Sequence, residues 1–117
     1  MANAYVNGFY TPSQANLPET VFTCPDETTT IFQTLQLVNV SGSKNVSVFI
    51  LDFSTGALNR IAYVEFGGPL ITNVFKGSIV LEEKDVLKIE TSNTSGITGT
   101  TAALETTRIY IPKGGAY

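Results

Sequence analysis

From Thr20 onward the chain falls into short runs of β-branched and aromatic residues, cut at intervals of about eight to twelve residues by Gly, Pro, Asn and Asp. No feature constrains the fold more. The runs alternate or are apolar on both sides, none carries a helical period, and sixteen Thr with only 15% charged residues suit half-buried pleated strands. A chain of 117 residues is one domain's worth. At 12.6 kDa it is expected to bury roughly two-thirds of its unfolded surface, enough for a core without staples.

Val21-Phe22-Thr23-Cys24 is stopped by Pro25-Asp26, a turn pair that fixes φ and removes a donor. In Thr30 to Val40, Ile31, Leu35 and Leu37 share one parity while Val38 and Val40 take the other, which predicts a bulge near Leu37 or burial on both faces. Ser41 to Asn45 reads as the turn of a hairpin into Val46 to Phe53. Arg60 to Phe66 alternates until Gly67-Gly68-Pro69 breaks it, and Leu70 to Phe75 reads as a further strand. Ile79 to Glu82 and Val86 to Glu90 read as a hairpin about Glu83-Lys84-Asp85, with Ile79, Leu81, Leu87 and Ile89 on the core face. Ser92 to Gly99 is a polar loop, and Thr100 to Ile111 is the last strand, long or broken. The expected fold is all-β, an antiparallel β-sandwich of about seven or eight strands, jelly-roll or immunoglobulin-like. It occupies residues 19–112, with a tail at 113–117. One Cys and no Trp disfavour the antibody-type domain, whose hallmark is a Trp packed on a disulfide.

Residues 1–18 hold Pro12, Pro18 and three Asn with almost no alternation, and read as an extended N-terminal arm rather than a strand. At ~3.3 Å per residue such an arm reaches well past the edge of a small domain. Tyr5, Val6, Phe9 and Tyr10 form an apolar cluster within it, and such side chains anchor well in a partner's groove. These four are the candidate partner-binding residues. The start has neither a basic patch nor an apolar run, and nothing approaches the ~20 apolar residues of a membrane span, so a soluble product made in a cytoplasm is expected.

The composition also weighs against several chemistries. Without His there is no imidazole base and no nitrogen ligand for zinc, and the lone thiol of Cys24 makes neither a zinc site nor an internal disulfide. A net charge of −3 with scattered Lys and Arg disfavours a nucleic-acid surface. Glu82, Glu83 and Asp85 are the densest acidic group and the place where glycoside or Ca²⁺ chemistry would sit. Strand neighbours point to opposite faces, however, and acids between two apolar runs are what a solvated turn needs. Asp26 and Glu27 beside Pro25 read the same way, and Cys24 at a strand end reads as a small buried hydrophobe. The Asn-x-Ser/Thr triplets at Asn39, Asn45 and Asn93 read as chance in a chain rich in those residues. No catalytic residue, cofactor or metal is expected. Tyr63, Phe66 and Tyr110 are the aromatics from which a sugar-binding platform would be built.

The segment Ile79-Val80-Leu81-Glu82-Glu83-Lys84-Asp85-Val86-Leu87-Lys88-Ile89 resembles a recurring stretch of small β-sandwich virion proteins of tailed bacteriophages. The order around it is similar too: Val21 to Pro25, Leu35 to Gly42, Asn45 to Ile50 and Arg60 to Tyr63, so the likeness spans most of residues 5–92. The last segment, Ala102 to Ile111, departs from that family by running through Thr106-Thr107-Arg108 to a Pro-Gly tail, which leaves its pairing open. The resemblance implies a non-enzymatic structural protein present in many copies on the outer capsid surface of a virion. It would be of the decoration or cement type, stabilising the outer shell through its arm and sandwich edges, partnered by the major capsid protein and by copies of itself, with a trimer expected, and without nucleic acid or membrane. A tail, neck or fibre-associated protein is the alternative, and a receptor- or carbohydrate-binding module a further one.

Overall fold

A computed structural model of the protein describes residues 2–75 and 77–107. They form nine strands: β1 (Ala2–Tyr10), β2 (Glu19–Thr23), β3 (Thr28–Asn39), β4 (Lys44–Leu51), β5 (Leu58–Phe66), β6 (Leu70–Asn73), β7 (Ile79–Leu81), β8 (Val86–Thr91) and β9 (Ile97–Thr107). One sheet runs β1-β9-β3, with β6 and β7 end to end along the far edge of β3; the other runs β2-β8-β4-β5. If β6 and β7 are taken as one interrupted strand, the chain winds between the sheets as a jelly roll does. The sandwich is all-β and antiparallel, as expected.

The core lies between the sheets. Phe32, Leu35 and Leu37 of β3, Val46 and Val48 of β4, Leu81 of β7, Leu87 and Ile89 of β8 and Ile97 of β9 are buried there, each worth about 1.5–3 kcal/mol against exposure. The Phe32 ring sits edge-on to Phe22 at 5.2 Å and to Phe75 at 6.3 Å between centroids, tying β2 and the segment after β6 to the centre of β3. Cys24 is buried, its thiol within reach of Thr28 O and Thr30 Oγ1 at 3.3 Å and of Leu81 O at 3.5 Å. Burial pushes its titration up.

Several expectations need correction. β3 and β4 are not a hairpin: they belong to opposite sheets, and residues 40–43 carry the chain across the sandwich. Nor is the Ile79–Ile89 segment a hairpin. β7 pairs with β3 while β8 pairs with β2 and β4, so residues 82–85 form a corner between layers. Both layers bury their apolar faces in one core, so the alternation is the same for a corner as for a hairpin. The bulge of β3 falls between Phe32 and Thr34 rather than near Leu37, switching the buried parity from Thr28, Thr30 and Phe32 to Leu35, Leu37 and Asn39. β9 begins at Ile97, inside the segment read as a loop, and Ile111 lies outside the described residues. Residues 2–10, read as an arm apart from the strands, are extended but paired: β1 runs in unbroken register along β9, from Ala2 opposite Thr107 to Tyr10 opposite Gly99.

Candidate interaction surface

The pleat of β1 divides the apolar cluster. Val6, Gly8 and Tyr10 turn toward the core, while Tyr5, Asn7 and Phe9 turn outward. Tyr5 is 83% and Phe9 78% exposed, whereas Tyr10 is 4% exposed and Val6 packs half-buried against the core. Gly8 and Gly99 make the inward side possible. A Cβ on Gly8 would stand 2.6 Å from Thr101 Oγ1, and one on Gly99 would stand 3.3 Å from Tyr10 Cβ. Two of the four expected anchors, Tyr5 and Phe9, therefore face outward, and the other two hold β1 to its own domain.

The register then sets Tyr5 in a row that sequence reading did not assemble. Tyr5 lies opposite Leu104 of β9, Leu104 opposite Ile31 of β3, and Ile31 opposite Val80 of β7, giving an apolar ladder across the sheet. Val38 and Ile71 form a second apolar pair further along the same face. Between them lie Asn7, Phe9, Thr34, Gln36, Thr98, Thr100 and Ala102, so none of these outward positions carries a charge. The opposite outer face differs: Lys88, Glu90, Arg60 and Glu65 all stand on it. The signal available in the sequence was Ile31, one residue out of phase with buried Phe32.

The remaining candidates are occupied in local structure. Asp85 accepts from the Phe53 N–H at 3.0 Å and the Glu82 N–H at 3.1 Å, Glu83 Oε2 from the Glu27 N–H at 2.8 Å, and Glu82 Oε2 from the Thr29 hydroxyl at 3.3 Å. These acids brace the corner between β7 and β8 against the turns at 26–27 and 52–54, around an open groove of about 490 Å³. Among the described residues, no three Cys, Asp or Glu side chains are placed to hold a metal. Of the aromatic platform, Phe66 is buried and Tyr110 lies outside the described residues. The Arg60 guanidinium sits 5.4 Å above the Tyr63 ring and 5.7 Å from Phe49, covering a face a sugar would need. Tyr63 and Ile61 line a second open groove of about 520 Å³ between β5 and the segment joining β6 to β7. The Asn39 amide is buried and donates to Gly42 O at 2.9 Å and Gly68 O at 2.8 Å, so the folded protein offers it to no modifying enzyme.

The link from β1 to β2 is clamped by Glu19. Its Oε1 accepts from the Ser13 N–H at 3.0 Å and the Gln14 N–H at 3.3 Å, and the Ser13 hydroxyl also donates to the carboxylate. These bonds hold the Glu19 carboxyl below the usual range. Compared with models of known protein families and with curated proteins, the chain matches none.

Proposed function

We propose that this chain is a non-enzymatic virion structural protein of the capsid decoration type, and that it lies on its shell through the outer face of the β1-β9-β3 sheet. The observation that carries this reading is the division of charge between the two faces. Interface centres are depleted in charge because an ion taken out of water must be paired to recover its desolvation cost. A face bearing Tyr5, Phe9, Leu104, Ile31 and Val80, with a carboxylate only at its end, where Glu82 meets Thr29, loses little of that kind on docking. The charged face of the other sheet is suited to solvent. The resemblance to small β-sandwich virion proteins agrees with this, and a jelly roll is a frequent capsid architecture, although a fold alone does not assign a function.

The test is binding to purified shells stripped of this protein. Placing a Lys at Ile31 or at Val80 should abolish co-sedimentation while leaving the circular dichroism melt unchanged. The same change at Glu90, on the opposite face, should have no effect. The reverse pattern overturns the reading. Copy number separates the alternative, because a decoration protein scales with the shell subunits, whereas a tail or neck component is limited to one ring.

A further inference from the structure

Among the described residues the sandwich has four free strand edges, and three of them carry devices that discourage further pairing. β2 is five residues long and bulged between Thr20 and Phe22. β5 is offset from β4 at the Val48/Phe49 irregularity and presents Arg60 and Glu65. The β6–β7 edge is broken into strands of four and three residues. β1 has none of these: nine residues, unbroken register, no Pro, no bulge and no charge. An edge of that kind is a template for another strand.

Its side chains indicate which strand. Outward from the sheet, Tyr5, Asn7 and Phe9 read aromatic, amide, aromatic, symmetric about Asn7. We propose that β1 pairs antiparallel with β1 of a second copy of this chain, on a two-fold axis at Asn7. Each Tyr5 then lies opposite the second copy's Phe9, and the two Asn7 face each other. Residues directly opposite in such a pair have Cβ atoms about 4.5–5.5 Å apart, so the aromatics cover one another instead of standing in water. The absence of charge in residues 2–10 means that self-pairing sets no like charges together. The two faces bearing the apolar ladders merge into one continuous surface, and the assembly closes as a two-fold dimer rather than the expected trimer. Pairing of this kind needs no shell, so it stands or falls separately from the decoration reading.

The full chain is tested as it is. Light scattering should give a mass of two chains, and the double substitution Tyr5→Lys, Phe9→Lys should give one chain with an unchanged circular dichroism spectrum, since both side chains are exposed, and with a melt that no longer depends on protein concentration. Asn7→Cys should form a disulfide-linked dimer under mild oxidation, because directly opposed Cα atoms about 4.5–5.5 Å apart fall within disulfide range. Tyr5→Cys alone should not, since its two copies are offset by about 13 Å along the strands. A mixture of Tyr5→Cys with Phe9→Cys should crosslink. A monomeric or trimeric wild type, or self-crosslinking at Tyr5→Cys as strong as at Asn7→Cys, overturns the proposal.

Discussion

Lys44 Nζ, 4% exposed at the start of β4, donates to Asn39 Oδ1 across 2.6 Å, joining the last residue of one sheet's central strand to the first residue of the other's. The same ammonium donates to Ser41 O at 2.7 Å and to Ser95 O at 2.5 Å. Three neutral oxygens thus replace its water, and the Asn39 amide extends the network to Gly42 and Gly68. This buried polar plug closes one end of the sandwich where loops from both layers meet.

Lys44→Met keeps much of the stem but leaves those oxygens without their donor. Unsatisfied buried acceptors cost about 1–3 kcal/mol each, partly relieved by water, so a loss of about 3 kcal/mol is expected. Urea unfolding checks it. Lys44→Arg should fall between, because a planar guanidinium does not fit three convergent oxygens. A variant as stable as the wild type would show that the plug contributes nothing.

That plug also shows where sequence reading stops. Lys44 stands between Ser43 and Asn45 in a turn-like stretch, and nothing local distinguishes a solvated turn from a crossing between layers. Strand existence, by contrast, was legible from alternation: Leu81, Leu87 and Ile89 are in the core as expected. The sheet to which each strand belongs depends on pairings distant in sequence, and a corner keeps the alternation of a hairpin. β1 was missed for a different reason. Its inward-parity positions include Ala4 and Gly8, too small to read as a core face, and a side chain at Gly8 would meet Thr101 directly opposite on β9. Tyr5 and Phe9 were visible as exposed apolar anchors, but Leu104, Ile31 and Val80 join them only through the register.

Cys24 should behave as a buried, protonated thiol. A thiol-specific reagent should leave the native protein unmodified at neutral pH and label it fully in urea, the native rate being set by opening of the fold. Rapid native labelling would contradict the burial. Because burial raises the folded-state pKa, the stability it carries is complete below the unfolded value of about 8.5 and is lost as pH rises through the folded one. Cys24→Ala should flatten that part of the alkaline limb.

Gly99 and Gly67 should respond oppositely to Ala. A Cβ at Gly99 would lie 3.0 Å from Leu37 Cδ2 and 3.3 Å from Tyr10 Cβ, so the ring covering β9 must shift, at a cost of about 1–3 kcal/mol. At Gly67 a Cβ meets nothing within 4 Å, and restricting the unfolded chain should give a gain of about 0.4–1 kcal/mol. Paired urea midpoints decide between these signs, and equal shifts would mean that the close packing of Tyr10 on Gly99 is not maintained in solution.

Tyr10 combines a packing role with an unmet polar one. Its ring lies over Gly99 and its hydroxyl is buried with no hydrogen-bond partner among the described residues. Burial first, then the charges of Glu19 and Glu90, push its ionisation well above the ordinary value. A raised folded-state pKa on an acid means that the folded state holds the proton more tightly. Its contribution is therefore full below the unfolded pKa of about 10 and declines as pH rises through the folded one. Tyr10→Phe keeps the ring and removes the stranded hydroxyl, so a gain of about 1 kcal/mol at neutral pH is expected, together with a shallower decline above pH ~10. Denaturant unfolding at neutral and alkaline pH, with tyrosinate absorbance followed in parallel, measures both. Loss of stability in Tyr10→Phe at neutral pH would mean that the hydroxyl is bonded in solution, and β1 would then be held to the sandwich by a polar contact rather than by packing alone.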